Sequence, residues 1–404
     1  MESRPGNPSA MHPVVREYLL LGLRFDRIEE GFVDAYTGDP DLRRIVAQEP
    51  PPQPADLAAR AEQLRADVQG SGLSAARQRF LDVHLRALAC SARKFAGEDV
   101  RFIDEVNEYF DVPISLGNED DYRGAHRALD DVLPGSGDLR ERMRTYRSGE
   151  EIPPERLSEC VDAFASALRD RVRTRFGLPD RERIDFEIVT DKPWSGFNYY
   201  LGDFRSRVAI NADLKQHLSG LPHLIAHEAY PGHHTEHCHK EAGIVAQGEH
   251  EQTIFLVNTP QCLMAEGLAD HALSAAVGPG WGAWAQEIYA DLGLRFDGER
   301  AERVSGAIAG LLGVRQDAAI LLHDQHRPHD EVAAFLQRWS LVSPERARQT
   351  LRFLTSPLWR AYISTYVEGY RLLSAWLDSR DASEPRSERF LRLLDEPLVP
   401  SQLR

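Results

Sequence analysis

Apolar residues recur along most of the chain at the spacing of an α-helix. Val15, Leu19, Leu20, Leu23 and Phe32 mark an early stripe. The run Glu49-Pro50-Pro51-Pro52-Gln53-Pro54 then breaks the chain and predicts a helix from about Ala55. A further helix is expected from Ser74 to Ala96, with Phe80, Leu81, Leu85 and Leu88 on one side. Others are expected near Asp99–Phe110, Tyr122–Leu133 and Pro154–Phe176. The period changes after Gly177-Leu178-Pro179-Asp180. Residues 184–189 alternate apolar and polar, and Phe197–Tyr200 and Ser206–Asn211 are also strand-like. They predict three short antiparallel strands, with Ser206–Asn211 as a free edge able to align an extended peptide. On an alternating strand, Asn198 or Tyr199 would face that peptide. Helix then returns, with starts at Thr259-Pro260, Ser343-Pro344 and Ser356-Pro357, each a capping residue before proline.

This pattern implies a mainly α protein with one small sheet. A soft boundary near residue 178 separates an N-terminal helical lobe (14–177) from a second lobe (178–404), after a leader over 1–13. The helices before 178 are expected to wall a deep cleft. The 404 residues are 42% apolar, enough for a sizeable core. A net charge of −15 disfavours nucleic acid as a partner. The apolar runs, such as Ile308–Val314, read as too short for a bilayer, so no membrane partner is expected. Met1–Pro13 lacks the apolar core of a signal peptide, which points to the cytoplasm. The four cysteines are widely spaced and read as reduced thiols, with Cys238 near the histidines a bystander.

Six of the fifteen histidines fall within 20 residues: His223, His227, His233, His234, His237 and His239. A glutamate follows His227, and Pro231-Gly232 precedes the double histidine. In the common HExxH zinc helix the second histidine lies four residues after the first; here Pro231 takes that place. On an unbroken helix His234 would lie about 10 Å beyond His227, too far for one ion with ligands at about 2 Å. A distortion at Tyr230–Gly232 must therefore return either His233 or His234 to His227. Neighbouring histidines point apart, so one is expected to ligate.

The segment His227-Glu228-Ala229-Tyr230-Pro231-Gly232-His233-His234 resembles the HExxPGHH motif of a bacterial family in the gluzincin metallopeptidase clan. That clan also holds thimet-type oligopeptidases and thermostable-type carboxypeptidases. Tyr18–Leu23 with Gly31–Tyr36 is similar to the family's opening, and Tyr366-Val367-Glu368-Gly369 to its Tyr-x-x-Gly element. Glu266-Gly267-Leu268-Ala269-Asp270, 38 residues after Glu228, is similar to its Glu-Gly-x-Ala element. Leu268 and His271 stand where tryptophan and tyrosine are commoner. The resemblance implies a two-lobed zincin-like fold and one Zn2+ per chain. His227, Glu266 and one of His233 and His234 would ligate it, with Asp270 orienting a histidine. Glu228 would be general base toward a metal-bound water, and Tyr366 the first candidate for the oxyanion, ahead of the non-ligating histidine and His323. The expected substrate is a short peptide. The alternatives are an inactive metal-binding relative and an amidase acting on a small non-peptide amide.

Overall fold

A computed structural model describes residues 11–192, 194–379 and 383–404. Most of the expected leader lies outside the described residues; the first helix is Pro13–Phe25. It buries Val15, Leu19, Leu20 and Leu23, and the stripe continues into buried Phe32 beyond its end. Ser74 caps Ala75–Phe95 by accepting from Arg77 N. Its apolar face joins the same core as the helices Pro54–Gln69, Phe102–Phe110 and Leu157–Arg175. Ser343 caps Pro344–Leu354 in the same way. At Ser356-Pro357 the outcome differs: residues 357–362 form turns, and the helix begins only at Ile363.

Five strands occur among the described residues: β1 Val33–Tyr36, β2 Arg183–Val189, β3 Gly196–Gly202, β4 Arg205–Asn211 and β5 Ile254–Leu256. β1 pairs antiparallel with β5, tying the opening of the chain to its middle. The other sheet has the order β2-β4-β3. β3 and β4 form an antiparallel hairpin, but β2 runs parallel to β4. This corrects the expected all-antiparallel sheet and the expected edge. Ser206–Asn211 is the central strand, with both backbone edges taken, so it has no row of free donors and acceptors for a peptide.

The helix Pro260–Ala276 is buried on nearly every side and is the axis of the later part of the chain. It crosses Ile363–Asp378 at Gly267 and Gly369. A Cβ on Gly267 would lie 2.6 Å from the Gly369 backbone, so the crossing needs both glycines. The crossing brings Glu266 and the tyrosines of residues 362–366 to one place. One segment, Gly298–His323, is long and apolar enough to cross a membrane, with a mean hydropathy of 1.2, contrary to the expectation from shorter runs. In the fold it is two helices, Gly298–Ala309 and Val314–His323, and half of its apolar window is buried.

Candidate metal centre

The site is assembled by a break in the histidine segment. The helix Leu221–Glu228 stops at Ala229, whose φ and ψ are −122° and −82°. A turn with a cis Tyr230–Pro231 bond follows, and a second helix, His233–Lys240, starts at once. The freed backbone groups are satisfied within the turn. Gly232 N donates to Ala226 O at 2.9 Å, and Thr235 Oγ1 donates to Ala229 O at 3.0 Å. At Gly232 a Cβ would sit 1.8 Å from His227 O, so only glycine fits.

The turn places His233, not His234, against His227. Their Nε2 atoms are 3.2 Å apart. Glu266 Oε2 lies 3.2 Å from His227 Nε2 and 4.0 Å from His233 Nε2. A tetrahedral ion with bonds of about 2.1 Å would separate its ligands by roughly 3.4 Å. These three residues group as a possible metal-binding set among the described residues. Glu266 Oε2 is itself buried and makes no well-aligned hydrogen bond; its near neighbour is His227 Nε2, close enough to share a cation with it. The other carboxylate oxygen, Oε1, accepts from Tyr362 Oη at 2.7 Å. His227 Nδ1 lies 3.2 Å from Asp270 Oδ1, one turn beyond Glu266. That contact leaves Nε2 to face the cluster. The donor set therefore fits a tetrahedral dication with one position to spare.

The cluster is recessed: both histidine side chains are 17% exposed and that of Glu266 is 8%. Glu228 is buried beside it. Burial pushes the Glu228 carboxyl up, Glu266 and Asp270 push the same way, and His227 and His233 oppose them. For His227, burial favours the neutral ring, but the contacts to Asp270 and Glu266 prevail and hold its pKa well above the ordinary value. Asp34, from β1, also faces the centre. Solvent reaches it, but surrounding protein, then Glu266 and Glu228, push its carboxyl up to about 7.

His234 has a different place. It is fully buried, with Nδ1 2.8 Å from Ser206 Oγ and Nε2 3.1 Å from Glu182 Oε2. Glu182 also accepts from Tyr230 Oη at 2.8 Å and from Arg169 Nε at 2.5 Å. Asn198 is buried under the metal helix and donates from Nδ2 to Glu228 O at 2.7 Å, so it is taken up by the fold and does not face a substrate. Tyr199 is half-buried, its ring tilted against that of Phe197 with Arg207 over it. Tyr366 is half-buried and packs edge-on to Tyr362 with ring centroids 5.7 Å apart. Burial first, then Glu266 and Asp270, hold its hydroxyl protonated well above the usual range. His323 Nε2 bonds to Leu354 O and its ring stacks on Phe102, outside the cluster. Among the remaining histidines, His223 packs on Trp281, His237 stacks on Tyr200, and His239 bonds to Asp395. Cys238 is buried against His234. His271 stacks on Tyr370. A cavity of about 350 Å³ between Gly117 and Phe335 shares no residue with the centre.

Sequence reading missed Tyr362 and Glu182. Tyr362 was visible only as an aromatic one turn before Tyr366. Glu182 had no signal, because its links to the histidine segment, through Tyr230 and His234, span 48 and 52 residues.

The Glu182 network carries a pH dependence. Burial alone would raise the carboxyl; hydrogen bonds from His234, Tyr230 and Arg169 reverse this and hold it at about 2, against an ordinary 4.5. That difference corresponds to about 3 kcal/mol of stability at neutral pH. The folded value is the lower one, so this contribution is full above about pH 4.5 and fades as pH falls towards 2. Glu182→Gln should therefore destabilise the protein near pH 7, and its deficit against wild type should shrink at pH 3. Urea melts at both pH values would read this. A deficit equal at both would show that the charge of Glu182 is not what matters.

Neither a family model nor a curated protein matches the sequence. Solved structures do resemble the fold. A candidate lipoprotein from Colwellia psychrerythraea superposes with a TM-score of 0.54 at 14% identity, over 90% of this chain and 60% of that one. The chain thus spans about 60% of that protein's length. A candidate lipoprotein of unknown function from Shewanella oneidensis gives 0.51 at 12% identity, over 96% of this chain and 81% of its own. An M32 carboxypeptidase from Deinococcus radiodurans R1 gives 0.41 at 12% identity, over 94% and 88%. At these identities the first two matches speak to a shared fold and not to activity.

Proposed function

We propose that the chain is a metal-dependent hydrolase, with zinc as the natural metal for a His-His-carboxylate set, acting in the cytoplasm on short peptides. The observation that carries this is the convergence of His227 Nε2, His233 Nε2 and the buried Glu266 Oε2, with a second buried carboxylate, Glu228, alongside. A purely structural site has no use for that second carboxylate. When bound, the metal would supply Lewis acidity to a substrate carbonyl and lower the pKa of water. His227, His233 and Glu266 would hold it, with Asp270 and Tyr362 fixing the orientation of two of them. Glu228, with its carboxyl raised, is suited to take a proton from water and return it to the leaving amine. Tyr366, kept protonated, can donate to charge developing on the substrate oxygen.

A peptide-library digest before and after chelation tests this reading. Cleavage is expected with the metal in place, to vanish on chelation and to return on adding zinc. Unchanged cleavage after complete metal removal would reject it, as would a metal-loaded protein that cleaves no peptide.

A further inference from the structure

A cavity of about 350 Å³ lies between the helices Val314–His323 and His329–Trp339. Asp317 and Leu321, one turn apart on the first helix, form one wall, and Val332 and Phe335 form the other. Leu116 and Gly117 close it from the loop before the helix Glu119–Val132. The cavity faces away from the metal centre. Asp317 is about 200° around its helix from Arg315, whose guanidinium lies over the Tyr366 ring, 5.9 Å from the centroid.

The acid in this cavity lacks a counter-charge. Asp317 is 4% exposed, and among the described residues it makes no ion pair. Glu105, Glu182, Glu236 and Glu251 are at least as buried, and each is paired with a lysine or an arginine. Asp317 has neutral donors instead: Tyr122 Oη to Oδ2 at 2.7 Å, and Gly117 N to Oδ1 at 2.9 Å. A carboxylate offers about four acceptor positions, so some remain open. A buried charge with neutral partners alone is costly. Burial accordingly pushes the carboxyl up, against both hydrogen bonds and the charge of Arg371, which is itself held by Glu368 at 3.0 Å. Gly117 leaves room beside the acid: a Cβ there would lie 3.1 Å from Asp317 Oδ2. The charges at the rim cancel, Glu119 with Arg123 at 2.9 Å and Glu331 with Arg327 at 3.6 Å. Asp317 is left as the uncompensated charge of the lining.

We propose that this cavity binds a small primary amine with an apolar body, its ammonium on Asp317 and its body against Leu321, Val332 and Phe335. The volume is at the lower end of the roughly 300–1,000 Å³ of small-molecule pockets, which fits a small molecule and not a folded segment. An ammonium brings three donors and the missing positive charge. The apolar walls favour an amine with a hydrocarbon part over a bare hydrated cation. The site is separate from the metal centre and does not depend on the hydrolase reading.

Calorimetry on the full chain tests this with hexylamine and 2-phenylethylamine, each beside the alcohol of the same skeleton, and with ethylamine. At least one of the two larger amines is expected to bind roughly 10- to 100-fold more tightly than its alcohol, the range for a charge-assisted bond. It should also bind more tightly than ethylamine, which has the charge without the body. Asp317→Asn should remove the preference for amine over alcohol, since asparagine can still accept from Gly117 N but carries no charge. Phe335→Ala should weaken amine and alcohol alike and keep their ratio. Leu321→Trp, at a half-buried wall position, should fill the cavity and end binding of both, a result that stands even if Asp317→Asn fails to fold. No binding by either larger amine up to about 10 mM would overturn the site. Equal binding of amine and alcohol, or a preference that survives Asp317→Asn, would do the same. Loss of the preference on chelation would place the amine on the metal centre and also overturn it. Binding of an end-blocked lysine pentapeptide about tenfold more tightly than either amine would assign the cavity to a protein partner and overturn the small-molecule assignment.

Discussion

Glu228→Gln should lower peptide turnover by about 10²–10⁴-fold, the usual contribution of a general acid–base group, while metal content stays at wild-type level. The substitution keeps shape and volume and removes only the ability to take a proton. Glu228 is not among the three residues whose ligand atoms converge, so the metal loses no ligand. Its backbone carbonyl, which accepts from Asn198, is also untouched, so the helix end stays anchored to β3. Turnover on a peptide found in the library digest, measured together with metal content, reads both halves. A variant that keeps its metal and at least a tenth of its activity would remove Glu228 from the role of base. A variant that loses the metal as well would show that its carboxylate supports the ligand set directly.

Much of the fold can be read from local pattern. Helical periodicity and caps mark helices such as Ala75–Phe95, because a stripe of apolar residues with Ser74 ahead of it has one good solution. The strands are legible individually, but not their pairing. Alternation reports which face of a strand is buried, not which neighbour it takes; here the parallel β2–β4 pairing depends on the path of the chain between Val189 and Arg205. That is why Ser206–Asn211 reads as an edge from its residues and lies in the middle of the sheet. The Ser356-Pro357 start fails for a similar reason. The cap and proline fit a helix, and Arg360 N does bond to Ser356 O at 2.9 Å, but the chain turns again before Ile363.

At the site, the residue types and their spacing point to the chemistry, whereas the assignment within the His233-His234 pair depends on the direction of the turn before it. That direction is set by Gly232 lying against His227 O and by the Glu182, Ser206 and Tyr230 pocket that takes His234. The contacts of His234 to Glu182 and Ser206 are too distant along the chain to leave a spacing rule. Asn198 shows the same limit: a polar residue on a strand beside the site can serve the substrate or the scaffold, and only its partner, Glu228 O, distinguishes them.

The two histidines should therefore respond differently to substitution. His233→Ala removes one of three ligands and leaves Glu266 Oε2 and His227 Nε2 to hold a metal alone. Its affinity should fall by more than the 10–100-fold typical of losing an outer hydrogen-bond partner. His234→Gln leaves all three ligands in place. It keeps a polar group in the buried pocket with Glu182 and Ser206, so its cost should appear as lower thermal stability. Metal content per chain, measured by elemental analysis of wild type, His233→Ala and His234→Gln purified in parallel, tests the central claim most directly. The arrangement of His227, His233 and Glu266 predicts about one metal per chain in wild type and in His234→Gln, and almost none in His233→Ala. A metal-free wild type, or full metal retention by His233→Ala with loss in His234→Gln, would contradict it.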